Sequence, residues 1–250
     1  LELLDRYWQY RVVRSDGQGD AREAILREVC EAMVRERTLR VERSVVARPE
    51  TSALLLDDLL STQILVEWQP SPEAPPERYI LAFSHHVLFD YAVARLLFRG
   101  EPSKVIQRLR DDLDLVIVVR PSLEFHFSHL WHLDGSRREF WDIVFRIIDT
   151  PEIPEIGKLI GPSVAAELAR TMTDLEPLCA ALEAGDRQDA AEGALRHLVG
   201  ALLAWSDTKD LVGPNAGPWC QLLERVSRSL RSSVAYTVRS LLTTLCLSLI

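Results

Sequence analysis

Within the first hundred residues of this chain the spacing of apolar side chains switches between the ~3.6-residue period of a helix and the ~2-residue period of a strand, and after Gly100 the strand period does not return. Leu3, Leu4, Tyr7, Trp8 and Arg11 recur at helical spacing, so residues 1–13 read as the end of a helix. Ser15-Asp16-Gly17-Gln18-Gly19-Asp20 breaks it, with Asp20 the expected N-cap of a helix over 21–37 whose Ile25, Val29, Met33 and Val34 share a face. From 38 to 46 the period shortens: Leu39, Val41 and Arg43 alternate with Arg40, Glu42 and Ser44, a strand pattern that Pro49 ends. Thr51 caps a short helix to about Leu60; residues 64–68 and 79–84 are two further strands. Between them, Pro70-Ser71-Pro72-Glu73-Ala74-Pro75-Pro76-Glu77-Arg78 can be neither helix nor central strand, so a hairpin with a Pro-rich tip is expected. Helical spacing resumes from His86 to Phe98.

Helix, strand, helix, strand, long loop, strand, helix is the order of a winged helix, and it occupies about residues 20–99. Beyond it, residues 102–112, 113–133, 135–148, 163–184, 187–206 and 218–250 read as helices punctuated by Pro, Gly and Asp. Val116-Ile117-Val118-Val119 suits a buried strand, but Leu113, Leu123 and Phe127 around it favour a buried helix. The expected fold is mainly α: a small winged-helix domain with a three-stranded wing sheet, then an α-helical, HEAT-like solenoid. No residue pattern repeats at a fixed period, so the solenoid rests on helix order alone. The expected divisions are 1–19, the end of a helical lid and its linker; 20–99, the winged helix; and 100–250, the helical region.

Composition narrows function by exclusion. The formal charge is −8, from 29 Lys and Arg against 37 Asp and Glu, which argues against a protein whose main work is gripping phosphate backbone. The four cysteines, Cys30, Cys179, Cys220 and Cys246, are scattered and form no C-x-x-C pair, so they read as small buried hydrophobes in a reducing compartment, the cytoplasm. The start shows no secretory signal pattern, and the apolar tail from Leu241 is too short and too interrupted to span a bilayer. Leu1 lies inside a helical pattern and Ile250 ends mid-helix, so the chain reads as an interior or C-terminal piece of a longer protein.

Residues 79–98 carry the chemistry: Tyr-Ile-Leu-Ala-Phe-Ser-His-His-Val-Leu-Phe-Asp-Tyr-Ala-Val-Ala-Arg-Leu-Leu-Phe. A strand delivers His85 and His86 to the start of a helix, and Asp90 lies one turn beyond His86. Free backbone N–H groups and the positive end of the helix dipole meet there, which suits an anion such as a phosphate. The segment resembles the end of the winged helix in STAND-type NTPases, the NACHT and NB-ARC class. Phe83-Ser84-His85 matches that family's Phe-x-His, Asp90-Tyr91 its acidic–aromatic pair, and Ala92 and Ala94 its small residues. The resemblance covers roughly residues 1–99. It implies that His85 contacts the β-phosphate of bound ADP and helps hold a closed, inactive state, with His86 and Asp90 beside it. It implies as partners an upstream NTPase domain that binds ADP or ATP, and a protein ligand on the helical region. Assembly into an oligomer on activation and a role in stress signalling or antiphage defence follow from it too. No G-x-x-x-x-G-K-[ST] phosphate loop occurs in these residues, so the chain by itself is expected neither to hold nucleotide tightly nor to be an enzyme.

Other readings compete. His85-His86-Val87-Leu88-Phe89-Asp90 also resembles the H-H-x-x-x-D of condensation-domain acyltransferases, which would make His86 a general base, although Tyr91 replaces the usual Gly and the chain is mostly helical after residue 100. A plain α-solenoid scaffold with no nucleotide role is the other alternative, with His85 and His86 as ordinary strand-end histidines. His126, His129 and His132 are spaced three and three, but six residues turn a helix by about 600°, so no metal site is expected. DNA binding is not expected: the helix over 51–61, where a recognition helix would lie, carries Asp57 and Asp58 and no Lys or Arg, and Glu67, Glu73 and Glu77 on the wing are acidic too. Arg35, Arg37, Arg40 and Arg43 read as a solvated helix end and strand face, or an interdomain contact. Arg225, Arg228, Arg231 and Arg239 read as one solvated face of the last helix.

Overall fold

The computed structural model describes residues 1–46, 51–184, 187–205 and 217–229, with Thr243 and Leu247. Pro49, Cys246, Arg231, Arg239 and the apolar tail, apart from Thr243 and Leu247, lie outside the described residues. Twelve α-helices and one small sheet are described, and the chain divides into two compact units. The first is Leu1–Glu101 with Val118–His126; the second is Pro102–Ile117 with the chain from Phe127 onward.

In the first unit, α1 (Glu2–Trp8) runs on into a π-helical turn, Gln9–Val13, and α2 (Gly19–Glu36) follows. The expected N-cap at Asp20 is displaced: α2 starts at Gly19 with Gln18 in the cap position, and Asp20 sits in the first turn, where its charge complements the helix dipole. Ile25, Val29 and Met33 are buried as their spacing predicts, joined by Leu26 and Cys30. The strand expected over 38–46 shrinks to β1 (Val41–Glu42), because the backbone turns into a 3-10 segment at Arg43–Val45. Then come α3 (Thr51–Ser61), β2 (Leu65–Trp68), the Pro-rich loop, β3 (Ile80–Phe83) and α4 (His86–Val93), which widens into a second π turn at Ala94–Phe98. The sheet is antiparallel in the order β1-β3-β2. Val41 pairs with Leu81, and Leu65 with Phe83; these four face the core.

The N-terminal stretch 1–19 packs as part of this unit: Trp8 and Val12 are fully buried. Val118–His126 joins it from beyond Gly100, because this start of α7 (Arg120–Leu133) contributes Leu123 to the core, places Phe125 edge-on to Tyr91 and sets His126 beside Phe98.

The second unit contains α5 (Pro102–Asp111), α6 (Leu115–Val118, to Ile117), the rest of α7, α8 (Arg138–Ile148), α9 (Glu155–Leu168), α10 (Met172–Ala184), α11 (Gln188–Trp205) and α12 (Gly217–Ser229). Residues 116–118 are helical, as their neighbours suggest. The single helix expected over 163–184 is two helices, and α9 begins eight residues earlier, passing through Pro162. The break falls at Ala169, whose backbone is extended; there the Asp174 carboxylate accepts from the Arg170 and Thr171 amides and the Thr171 hydroxyl, fixing the start of α10. Phe127, Trp131, Phe140 and Trp141 form the core, with Trp131 and Phe140 edge-to-face at 4.8 Å. Among the described residues no helix is long and apolar enough to cross a membrane.

Candidate functional site

The site begins where β3 ends. The Ser84 amide donates to the Ile64 carbonyl at 3.1 Å, which ties the last rung of the hairpin. His85 follows in extended conformation as the N-cap of α4, and its carbonyl accepts from the Leu88 and Phe89 amides. Ser, Thr, Asp or Asn in this position would fold its side chain onto the first-turn amides. His85 does not, and no side-chain cap occupies the end of the helix. His85 and His86 are both exposed. The junction therefore presents two imidazoles and uncapped N–H groups together, at the positive end of a dipole.

Asp90 faces the other way. It is 9% exposed and accepts a hydrogen bond from the Ser122 hydroxyl on α7 at 3.2 Å. Burial pushes its carboxyl up; the Ser122 hydrogen bond and the His86 charge pull it down, and Glu124 adds to the rise, leaving it above the ordinary carboxylate value. Of the three residues singled out, His85 and His86 share the exposed junction and Asp90 belongs to the interior.

Tyr91 is buried against Trp8, ring centroids 5.5 Å apart, and donates to Asp5 of α1. Arg95, in the π turn, donates to Glu23 at 2.9 Å, and Glu23 also accepts from the Trp8 indole at 2.8 Å. Arg99 reaches Asp5 at 3.4 Å. The helix that starts at the histidines is thus bonded along its length to α1 and α2.

No family model, curated protein or solved structure matches this chain.

A second polar centre, which spacing did not reveal, surrounds Arg22. Its side chain is nearly buried and donates to Asp58 at 2.7 Å, to the Val12 carbonyl at 3.1 Å and to Asp16 at 3.0 Å. Arg14 adds a bond to Asp58 at 3.1 Å. The Arg22 hydrogen bond, then the Gln18 amide, hold the Asp16 carboxyl well below the usual carboxylate range. Arg22 occupies a helical position beside Ile25 and Leu26, so an apolar-period reading passes over it; Asp16 and Asp58, far apart in sequence, give no local signal. The same contacts change the meaning of α3. Asp58 is held by Arg22 and Arg14, and Asp57 by Arg43 at 3.3 Å, so its acidity is largely met from within the unit.

The histidines of α7 separate. His126 is buried, His132 is exposed with Nδ1 2.7 Å from the Ser128 carbonyl, and among the described residues no group of three or more His, Cys, Asp or Glu side chains is arranged to hold a metal. Arg225 pairs with Glu176 and Glu183, so this member of the basic series on the last helix serves an intra-unit ion-pair cluster. Cys30 and Cys179 are buried, the latter thiol pushed up to about 11 by burial, whereas Cys220, expected inside, is exposed.

Proposed function

We propose that this chain is the regulatory part of a STAND-type signalling NTPase, comprising a winged helix and a helical sensor region, with His85 as the residue that reads the phosphate of ADP. The observation that carries the reading is the junction itself: an exposed imidazole in the cap position of an uncapped helix, at the end of the central strand of a β1-β3-β2 sheet. That sheet order, with its hairpin and Pro-rich tip, supports the winged-helix assignment. The match of Phe83, His85, Asp90 and Tyr91 to the family's pattern gives the junction its direction. Tyr91 and Asp90 turn inward and anchor the helix, which leaves the histidines to face a nucleotide held by a separate, upstream NTPase domain. His86 stands beside His85 as a secondary phosphate contact. In this reading the helical second unit receives a protein ligand, and the protein works in the cytoplasm.

The test is nucleotide release from the full-length polypeptide that contains these residues. His85→Ala is expected to speed ADP release at least tenfold, the worth of one hydrogen bond to a charged group, and His86→Ala to have a smaller effect. Unchanged release in His85→Ala, or coding sequence upstream of Leu1 that lacks a G-x-x-x-x-G-K-[ST] loop, overturns the proposal. An α-solenoid scaffold with no nucleotide role requires both substitutions to be silent.

A further inference from the structure

In the second unit α9 and α11 pack against each other, and the contact encloses an imidazole. His197 lies on the face of α11 that carries the buried Ala190, Ala194 and Leu198, and is itself 7% exposed. A buried histidine is ordinarily satisfied at both ring nitrogens. Here Nε2 is buried and, among the described residues, makes no hydrogen bond. The carboxylate that faces it, Glu155 at the first position of α9, stands 3.6 Å away, beyond hydrogen-bond reach.

That carboxylate is already in use. Lys158, one turn along α9, brings its ammonium to 3.5 Å from the other Glu155 oxygen, and the Lys158 side chain is 11% exposed. A poorly hydrated fixed cation and a buried titratable ring therefore share one carboxylate. Arg196, next to His197 on α11, adds positive potential. α8 and α10 also pack on α11, but their carboxylates are engaged elsewhere: Asp142 with Arg146 and Arg187, Asp174 with Arg137, and Glu176 and Glu183 with Arg225. A proton on His197 thus adds a second cation to a cluster whose one anion is taken, and the imidazolium is relieved only by water. The start of α9 is where water can enter. Glu155 is 67% exposed, Pro154 holds the cap position without a side-chain cap, and the Gly157 and Lys158 amides rest on the Pro154 carbonyl at 2.8 and 3.4 Å. We propose that Glu155, Lys158 and His197 form an acid-sensitive latch: neutral His197 keeps the start of α9 closed on α11, and protonation opens that start while the rest of the unit stays folded. Burial pulls the imidazole below its ordinary value; Arg196 adds to the fall, Glu155 opposes it and Lys158 adds to it again. The closed form therefore prefers the neutral ring, and its stability is lost as the pH drops below about 6.5, the ordinary histidine value. The inference does not depend on a nucleotide role for His85.

Amide exchange of the whole chain, corrected for the intrinsic pH dependence of exchange, tests it. From about pH 7.5 to about pH 5.5, protection of Leu159, Ile160 and Gly161, in the first bonded turns of α9, is expected to fall by about threefold to tenfold. Tenfold is roughly the limit for one group titrating from an ordinary value of about 6.5. α10 is expected to keep its protection across the same range. In His197→Gln, whose side chain is polar but cannot charge, the fall at α9 is expected to vanish. Lys158→Met keeps the buried stem and removes the competing cation, so Glu155 serves the imidazolium alone. In that variant the fall is expected to shrink, and the NMR titration midpoint of the His197 ring, assigned by its absence from His197→Gln, is expected to rise. Constant protection at α9, or an equal loss along α9, α10 and α11, overturns the proposal. So does a fall that persists in His197→Gln, or a His197 midpoint that Lys158→Met leaves unchanged.

Discussion

Arg22 lies inside the first unit with three acceptors around it: Asp58, Asp16 and the Val12 carbonyl. A cation taken out of water needs such partners, and the partners in turn lose theirs if it is removed. Asp16 and Asp58 keep partial access to water, so they can rehydrate, and Arg22→Met is expected to cost about 2–3 kcal/mol, below the full penalty for a completely buried pair. A chemical-denaturation midpoint shift with unchanged slope measures it. The pH dependence has a definite sign. Asp16 is depressed in the folded state by Arg22 and the Gln18 amide, so its contribution is present above the ordinary carboxylate value and fades as the pH falls below about 4. Arg22→Met should therefore flatten the acid limb of the stability curve. Asp90 has the opposite sign: burial raises it, the folded state prefers the protonated form, and stability is lost as the pH rises through and above about 4. Asp90→Asn, able to keep the Ser122 bond, is expected to raise the melting temperature by a few degrees at pH 7 and to leave it unchanged near pH 3. A melt lowered at pH 7 but unchanged near pH 3 would show that Asp90 is held as a charged partner.

At the scale of elements, α9 shows what apolar spacing conveys and what it hides. Gly157, Gly161 and Pro162 read as punctuation in a linear scan, yet all three are buried inside one helix. Gly157, Gly161 and Ala165 recur every four residues, a stripe without side-chain bulk, and neighbours close onto it: a Cβ added at Gly161 would stand 2.6 Å from Val144 Cγ2 and 3.2 Å from the Phe127 ring. Small residues at helical spacing are a packing signal, but a composition-based reading of Gly and Pro points to turns. The strands were legible for the opposite reason. Val41, Leu65, Leu81 and Phe83 alternate with polar or half-exposed neighbours, so inward and outward faces can be assigned from period alone. β1 is shorter than its pattern because the chain turns into the 3-10 segment Arg43–Val45 straight after the Arg43 amide has bonded the Tyr79 carbonyl, the next step of the β1–β3 register. Two glycines of the second unit make the packing argument measurable. Gly161→Ala gains helix propensity of about 1 kcal/mol but meets Val144, and overpacking of about 1–3 kcal/mol should outweigh it. Gly200→Ala, on an exposed helical face with nothing within 4 Å of the new methyl, is expected to stabilise by up to about 1 kcal/mol. Equal effects from the two substitutions, read by thermal melts, would contradict the close packing of α9.

For the whole molecule, the boundary between units is the feature least visible in sequence. The loss of strand spacing after Gly100 suggests a cut there, and the chain does leave the first unit at that point. It returns with Val118–His126, because the helix carrying Asp90, Tyr91 and Phe98 would otherwise lack the Ser122 hydroxyl, the Phe125 edge and the His126 ring. These contacts join residues about thirty positions apart, a separation that no local period reports. The histidine junction, by contrast, was legible, since a strand period handing over to a helical one at His85 and His86 locates it; the inward turn of Asp90 was not, because its partner Ser122 comes from that returning segment. A fragment ending at Glu101 is therefore expected to unfold below the melting temperature of one ending at Leu133, and to bind a hydrophobic dye that the longer fragment excludes. Amide exchange supplies the positional reading: protection along α4, strongest expected near Tyr91 in the longer fragment, should fall by at least tenfold in the shorter one, while the β2–β3 hairpin, whose rungs lie within 1–101, keeps more of its protection. Equal protection of α4 in both fragments would mean that the first hundred residues close their own core and that Val118–His126 packs on an already complete surface.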